Sequence, residues 1–576
     1  MRAEFRLVAG FLDLIAPEAG LEGRRELAAD AGTQLADWAK RYAVLRRQDG
    51  VETQLLSLGK ELYAWLDGGE RLLKRLLAAA VPPVVVEFHA LSSQDALAKD
   101  FLWAPWELLA GDAGYLVADP VQLFCPLRRL GRTTAPGELD DSCLGVTFMA
   151  AAPRGAVSLD YGAEENAILD AAGTLGLDLV VEESGNPDRL AERMAEVGAM
   201  QVLHLSCHGR SEPEPMLGLE DEEGNGLHVG PAELIGALPS PRPTLVFLSA
   251  CQTAASGTLA DPLAMTLVRA GAPSVLGWDG SVHDHEAIAF ARAFYQELAR
   301  RRRLEEAVAM ARQALLSAAG SERSHDWHLA RLWLGPKGGG ALVGGSARRW
   351  MLAADHGHKA FLDKRRQESP VASRAAFVGR RRELQTSLKV LREGSHGGLL
   401  IQGMGRLGKS SLAARISHRR PDLEPVVIFK AYDAFSVAQA IRDACAPARE
   451  PIDARSAALR ERPEELEDLL IDILEGPCQQ APSGKPIVLV IDDLAHPRGA
   501  RRPGRPLAGA GHARTCPAGG APRLRAGQDG VAAPAHQPLH LHPAGQRRGP
   551  GRAAFPAPAP AHGFGERAAA GAPART

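Results

Sequence analysis

The chain lacks what several function classes require. Its seven cysteines (Cys125, Cys143, Cys207, Cys251, Cys445, Cys478 and Cys516) are odd in number and contain no CxxC pair. That argues against a disulfide framework or a Cys-rich zinc site and for a reducing, cytoplasmic setting. No run approaches ~18 uninterrupted apolar residues, so no transmembrane helix is expected. The opening Met1-Arg2-Ala3-Glu4-Phe5 carries an acid early, and Asp13 breaks the apolar stretch behind it, which is no signal-peptide pattern. The formal net charge of −2 gives no global attraction to nucleic acid or anionic membrane. From His496 to Thr576 there is no Lys, Ile, Tyr, Trp, Met or Asn, and only Asp529 and Glu566 are acidic. Such a composition of Ala, Arg, Gly, Pro and His cannot build a core. Residues 496–576 are therefore expected to be a disordered low-complexity tail or the product of a shifted reading frame. The tail's twelve arginines are interleaved with only two aromatic residues, Phe555 and Phe564, and make a poor surface for nucleic acid.

What is present is ordinary globular protein, 576 residues long with 45% hydrophobic and 24% charged residues, enough for three or four domains at ~150 residues each. Residues 1–140 alternate helical and strand-like segments. Residues 53–80 read as an amphipathic helix, with Leu55, Leu58, Leu62, Trp65 and Leu72 on one side. Val84 to Phe88 reads as a strand, and Phe101 to Leu109 as an aromatic-rich hairpin or helix start that packs in a core. From 143 the alternation is regular. Strands are expected at 143–150, 177–182, 201–207, 244–250 and 274–278. Helices are expected at 163–175, 187–197, 231–237, 261–270, 284–301 and 304–318. This pattern implies α/β architecture, a parallel sheet with helices on both faces. The boundaries expected are a core at 141–335, to which the later part of 1–140 also belongs, and a Gly-rich linker at 336–375. A second α/β unit follows at 376–495.

Two strands of the core end in chemistry. His208 follows the apolar run Val202 to Cys207, and Cys251 follows Leu245 to Ala250. Adjacent parallel strands would bring both side chains to the carboxyl edge of one sheet, where open α/β folds place their sites. A thiol needs a base to become a nucleophilic thiolate, and imidazole is the usual one. Gly209 lets its backbone approach a substrate and lend an N–H to a developing oxyanion. His204 and Cys207 are expected to be structural. His283 and His285 flank Asp284 without a third ligand at a suitable spacing, so they read as a loop beside the cleft.

The second unit carries a phosphate loop. A strand through Gln402 runs into Gly403-Met404-Gly405-Arg406-Leu407-Gly408-Lys409-Ser410-Ser411, and a helix follows. This is G-x-x-x-x-G-K-[ST] in its confirming context. The glycines Gly403, Gly405 and Gly408 free backbone N–H groups to face phosphates, with the helix N-terminus adding positive charge. Lys409 would reach the β/γ-phosphates and Ser410, beside Ser411, would ligate Mg²⁺. Pro486 to Asp493 reads as the companion strand, with Asp492 on Mg²⁺ and Asp493 orienting water. The ligands expected are ATP or ADP with Mg²⁺.

Val202-Leu203-His204-Leu205-Ser206-Cys207-His208-Gly209 and Leu248-Ser249-Ala250-Cys251-Gln252-Thr253 resemble the two signature blocks of the CHAT domain, a caspase-like peptidase domain of clan CD. Trp106-Glu107-Leu108-Leu109, the Glu164-Glu165 helix, Ala264 to Val275, Gly277-Trp278, Asp284 and Trp327 resemble its other segments. The resemblance covers roughly 50–340. It implies a caspase-like sheet sandwich, a dyad of His208 as general base and Cys251 as nucleophile, and an oxyanion hole from the N–H groups of Gly209 and Cys251. Phe377-Val378-Gly379-Arg380-Arg381-Arg382-Glu383-Leu384 resembles the opening segment of STAND or NB-ARC signalling ATPases, where Gly379 and Arg380 would contact the base. The resemblance thus implies a cysteine endopeptidase joined to the N-terminal half of a P-loop NTPase that regulates it, in bacterial defence or cell-death signalling. The implied partners are a protein substrate and a second copy or a sensor. A non-catalytic CHAT interaction module on a nucleotide-binding scaffold is the alternative.

Overall fold

The computed structural model describes residues 1–48, 50–90, 95–134, 139, 143–156, 159–174, 177–198, 200–210, 214–221, 224–249, 262–317, 326–344, 371–372, 377, 380–393, 396–403, 407–420, 422–429, 433–444, 448–474, 487–492 and 540–546. It opens with a meander of β1 (Arg2–Val8), β2 (Phe11–Ala16) and β3 (Leu21–Glu26). In β1 the alternate residues Ala3, Phe5 and Leu7 are buried, the period-2 pattern of a half-covered strand. Ala9 and Gly10, both at positive φ, make the tight turn whose twist suits a hairpin. Helices α1 (Ala31–Leu45), α2 (Glu52–Asp67) and α3 (Leu72–Ala79) follow. The single helix expected over 53–80 is thus two. Gly68 at φ +60° takes the backbone out of the helix, a conformation with little steric cost only for glycine. Next come β4 (Val84–Ala90), α4 (Ala96–Trp103), the two-residue strands β5 (Ala110–Gly111) and β6 (Gly114–Tyr115), and β7 (Phe124–Leu130).

The regular alternation then appears as β8 (Leu144–Ala150), α5 (Tyr161–Thr174), β9 (Leu177–Glu182), α6 (Pro187–Val197) and β10 (Val202–Ser206). A small antiparallel sheet of β11 (His208–Arg210), β12 (Met216–Glu220) and β13 (Gly226–Val229) intervenes. The chain continues with α7 (Pro231–Ala237), β14 (Leu245–Ser249), α8 (Leu263–Arg269), β15 (Ser274–Trp278), α9 (Asp284–Ala299), α10 (Leu304–Leu316) and β16 (Ala330–Leu334). The small sheet was not legible in the sequence, because its strands are only three to five residues long.

One 11-stranded sheet runs through residues 2–334 in the order β3-β2-β1-β4-β7-β16-β15-β14-β10-β8-β9. It is mostly parallel. Strands β9, β8, β10, β14 and β15 run one way, and β16, β7, β4 and β1 run the other, with the reversal at the antiparallel pair β15–β16. Every residue of β8, β10, β14, β15 and β16 is buried, so both faces are covered, as parallel sheets require. Helices α5, α9 and α10 pack together, as do α6, α7 and α8.

The core also holds charge. Glu107, wholly buried, receives a bidentate pair from Arg128 and a bond from Arg312 Nη2 at 3.2 Å, with Arg331 Nε 3.8 Å away. Beside it Trp106 stacks on Phe88 with ring centroids 4.3 Å apart, the packing role expected of this aromatic segment. Gly59 of α2 lies so close to this turn that a Cβ there would sit 1.9 Å from the Leu108 carbonyl oxygen.

The second unit comprises α11 (Arg381–Glu393), β17 (His396–Gln402), α12 (Lys409–His418), β18 (Glu424–Phe429), α13 (Ala434–Ala444), α14 (Arg449–Glu461), α15 (Leu466–Leu474) and β19 (Ile487–Asp492). Its apolar residues form two small cores, one around Leu388, Leu412 and Ile416 and one around Ile428, Ile441 and Ile452. Strand β19 pairs in parallel with β18. Strand β17 pairs antiparallel with β20 (His540–Gln546), a strand supplied by the stretch from which the sequence predicted no ordered element. An unpaired strand edge is a template for any available extended segment, and composition alone does not register that. Among the described residues, no helix is long and apolar enough to cross a membrane.

Candidate active site

Strands β10 and β14 are parallel neighbours in exact register terms: Val202 faces Leu245, and Ser206 faces Ser249. His208 stands two residues past Ser206, and Cys251 two residues past Ser249. His208 opens β11, where the chain leaves the large sheet and pairs with β12, His208 opposite Gly218 and Gly209 opposite Leu217. Both His208 and Gly209 are half-buried. Cys251 lies outside the described residues, and Ser249 is the last described position before it.

Beneath these strand ends is a chain of polar side chains. The Tyr295 hydroxyl lies 2.9 Å from His204 Nδ1, and His204 Nε2 lies 3.1 Å from Glu164 Oε1. One tautomer satisfies both: Tyr295 O–H donates to Nδ1, and Nε2–H donates to the carboxylate. Ser206 and Ser249 border the same small pocket as Glu164. Burial pushes its carboxyl up, but His204 and the two serines hold it below the usual range. Burial and the Glu164 charge push the Tyr295 phenol well up. His204 itself is fully buried between Phe148 and Phe247, a structural position. Cys207 is buried too. Cys125, on β7, is buried, and burial pushes its thiol well above the usual range, which makes it unreactive.

Glu164, Ser206, Cys207 and Ser249 line a small cleft of about 30 Å³, closed on its other side by Val282, Asp284 and Ala287. A larger cleft of about 460 Å³ adjoins it through Val282 and is lined by Arg46, Tyr115, His283, Asp326 and Trp327, among others. His283 Nδ1 meets Asp326 Oδ2 at 2.8 Å, and Glu286 Oε2 accepts from the Asp326 N–H at 3.0 Å. The ligand atoms of these three residues lie within 4.8 Å of one another. The cluster thus keeps His283 but takes Glu286 in place of His285, and adds Asp326, forty-odd residues away in the chain and adjacent in the fold. The role of Glu164 was equally hidden. Its only signal was a pair of acids, Glu164 and Glu165, on a helix face that is buried.

In the second unit, Gly408 at φ +78° caps α12, and Lys409 Nζ donates to the Gly403 carbonyl at 3.0 Å. The lysine therefore spans the loop mouth. The Ser411 hydroxyl accepts from the Ala372 N–H at 2.8 Å, and Ser410 is half-buried in the first turn of α12. Arg380 pairs with Glu383 at 2.9 Å at the start of α11, which packs on α12. Asp492 ends β19, but β19 and β17 belong to different two-stranded sheets, so strand pairing does not bring Asp492 beside the loop. Gly379, Gly405 and Asp493 lie outside the described residues.

The two units touch. Arg415 Nε of α12 donates to Glu183 Oε1 at 2.5 Å, and Gln385 Nε2 of α11 donates to Glu220 Oε2 at 3.0 Å. Burial pushes the Glu183 carboxyl up, and Arg415 with Arg419 brings it below the usual range. Glu220 also accepts from the Ala152 N–H at 2.6 Å and sits on β12, the partner of the His208 strand.

Residues 58–335 match the CHAT domain. No curated protein sequence matches the chain. Among solved structures, the Arg-specific cysteine proteinase gingipain R is similar at 10% identity and a TM-score of 0.30, covering 50% of this chain and 74% of that one. The complex of Porphyromonas gingivalis RgpB pro- and mature domains gives 10% identity and a TM-score of 0.29, with 51% and 70% covered. The Saccharomyces cerevisiae separase–securin complex gives 13% and 0.28, with 53% of this chain but only 22% of that one covered. The CHAT match runs from within α2 to the end of β16 and takes in strands of both orientations, leaving the N-terminal β1 to β3 outside.

Proposed function

We propose that the CHAT region is a caspase-like cysteine endopeptidase with His208 as general base and Cys251 as nucleophile. The observation that carries this is the in-register pairing of β10 with β14, Ser206 opposite Ser249, together with the CHAT match over 58–335. His208 takes the thiol proton, and the thiolate attacks the scissile carbonyl. The N–H groups of Gly209 and Cys251 receive the developing oxyanion. The proton returns to the leaving amine, and water then releases the acyl group from sulfur. The substrate is a protein chain in extended form.

The second unit is proposed to bind ATP or ADP with Mg²⁺ and to regulate the peptidase, in a setting of bacterial defence or cell-death signalling. What supports the phosphate half of such a site is a left-handed Gly408 at the N-terminus of α12 and the Lys409 ammonium on the Gly403 carbonyl, the kind of helix start that favours anions. Ser410 and Asp492 would hold the metal, although the strand pairing gives Asp492 no support. A bound nucleotide would supply negative charge that draws Lys409 off the Gly403 carbonyl. No hydrolysis step is assigned.

Peptide-library cleavage by the full chain tests the dyad, with Cys251→Ala and His208→Ala as controls. Cleavage should vanish with Cys251→Ala and fall by about 10²–10⁴-fold with His208→Ala, the usual weight of a general base. Cleavage that survives Cys251→Ala would rule the dyad out. Absence of cleavage, with Cys251 no more reactive to an alkylating probe than the other six cysteines, would instead support a non-catalytic CHAT interaction module.

A further inference from the structure

Helix α9 begins with a run of side chains that can ligate a metal. His283, the residue before it, carries an imidazole that is 61% exposed, and His285 in its first turn carries one that is 73% exposed. Glu286, in the same turn, is buried. Asp326 joins them from another part of the chain. It is also buried, and it stands before a single 3₁₀ turn, Trp327–Leu329, that leads into β16. His283 and Asp326 both line the larger cleft. His283 Nδ1 lies 2.8 Å from Asp326 Oδ2, and the Asp326 N–H donates to Glu286 Oε2 at 3.0 Å. His285 Nε2 lies 3.9 Å from Glu286 Oε1, and the two imidazole rings are 5.7 Å apart between centroids.

One ligand atom from each of His283, Glu286 and Asp326 lies within 4.8 Å of the other two. Two ligands of a tetrahedral ion with bonds of ~2.0–2.1 Å sit about 3.4 Å apart. The His283–Asp326 contact has to open by only about half an ångström to admit such an ion, and the gap from His285 to Glu286 has to close by about as much. An exposed imidazole makes that move by turning about its side-chain bonds. Two buried carboxylates side by side repel each other, and a cation among them offsets the repulsion. The acids of the first turn, Asp284 and Glu286, also offset the positive end of the helix. Imidazole beside carboxylate suits zinc, whereas magnesium and calcium prefer oxygen alone. We propose that His283, Glu286 and Asp326, completed by His285, bind a zinc ion at the edge of the larger cleft and tie the start of α9 to the segment that enters β16. This inference does not depend on the dyad proposed above.

The test uses the full chain, stripped with EDTA, and takes zinc and cobalt(II) as probes. Zinc affinity is read by competition with a chromophoric chelator, and bound zinc is counted by elemental analysis. His283→Ala and His285→Ala remove exposed rings, so circular dichroism should show both variants folded. Losing an outer partner of a metal ligand costs about 10–100-fold in affinity, so losing a ligand itself should cost about 100-fold or more. His283→Ala should accordingly carry less zinc than the unaltered chain at equal free metal. Cobalt(II) should give the visible bands of a four-coordinate site, without the near-ultraviolet band that thiolate ligands add. Zinc should raise the melting temperature of the unaltered chain, and His283→Ala should lose that response. Zinc content and affinity unchanged in His283→Ala would overturn the inference. So would an unaltered chain that takes up no zinc, or a cobalt spectrum dominated by thiolate, which would put the ion on cysteines instead. An unchanged affinity in His285→Ala would strike His285 from the site.

Discussion

Arg415, one turn from the end of the phosphate-loop helix, forms a buried ion pair with Glu183, the residue that follows β9 of the large sheet. Their side chains are 8% and 2% exposed. The loop that would take a nucleotide and the large sheet, whose strand β10 leads to His208, are thereby joined through a single rigid helix, α12. Adding ATP and Mg²⁺ should alter the rate at which Cys251 is alkylated, and Glu183→Gln should remove that dependence while leaving nucleotide binding in place. A fluorescent ATP analogue, titrated into both proteins, separates the two effects. An alkylation rate indifferent to nucleotide in the unaltered chain, despite tight binding, would disconnect the second unit from the dyad.

Glu107 should be among the most sensitive core positions. It pairs with Arg128 and Arg312 in a fully buried place, and Arg331 lies 3.8 Å away. Removing one partner of a buried charge cluster leaves the others uncompensated, at a cost of about 3–5 kcal/mol. Glu107→Gln should shift the urea unfolding midpoint downward by a corresponding amount. A shift below about 1 kcal/mol, the scale of an exposed pair, would mean the arginines find other acceptors.

The same carboxylate predicts how stability responds to acid. Burial raises the Glu107 pKa, but Arg128, Arg312 and Arg331 outweigh it and hold the group at about 2, below its ordinary 4.5. Glu4 is likewise held at about 2, burial being outweighed by His89 and Arg6. A depressed folded-state value means a contribution present above the unfolded value and lost as pH falls through the window from about 4.5 to about 2. Melting temperature followed by scanning fluorimetry should be nearly flat from neutral pH down to about pH 5 and decline steadily below. A flat profile down to about pH 3 would contradict ionised carboxylates at these positions.

Gly59 offers a purely steric prediction. A Cβ there would meet the Leu108 carbonyl oxygen at 1.9 Å, and the obstacle is backbone, which cannot rotate away. Gly59→Ala should destabilise by about 1–3 kcal/mol, although alanine is the better helix former by up to ~1 kcal/mol. An unfolding midpoint equal to or above that of the unaltered chain would show that α2 slides to accommodate it.

Much of the CHAT region could be read from the sequence because its strands are buried on both faces. Leu245 to Ser249 and Val202 to Ser206 are short apolar runs between turn residues, and the helices between them have ordinary lengths. The strand and helix positions expected from 143 onward fall within about two residues of those found, as boundary uncertainty allows. What escaped were features that depend on distant parts of the chain. The ladder between β17 and β20 joins segments about 140 residues apart. Asp326 reaches His283 only because α9 and α10 fold back on each other. Glu164 appeared as one more acid on a helix, since its partner His204 lies on β10 and that histidine's own partner, Tyr295, on α9. Local pattern identifies which runs are strands, but not which distant side chains meet them.

The two rims of the large sheet are guarded differently. At one, β3 reads Leu21-Glu22-Gly23-Arg24-Arg25-Glu26 with alternate residues exposed, and its Arg24 pairs with Asp13 in open solvent. Charge of this kind discourages edge-to-edge association of strands, and salt screens it readily. At the other, the chain leaving β9 is tied down by the buried Arg415–Glu183 pair, which salt reaches poorly. Raising the ionic strength should therefore strip protection from only one end of the molecule, and strand-mediated self-association should begin at the N-terminal meander, far from His208.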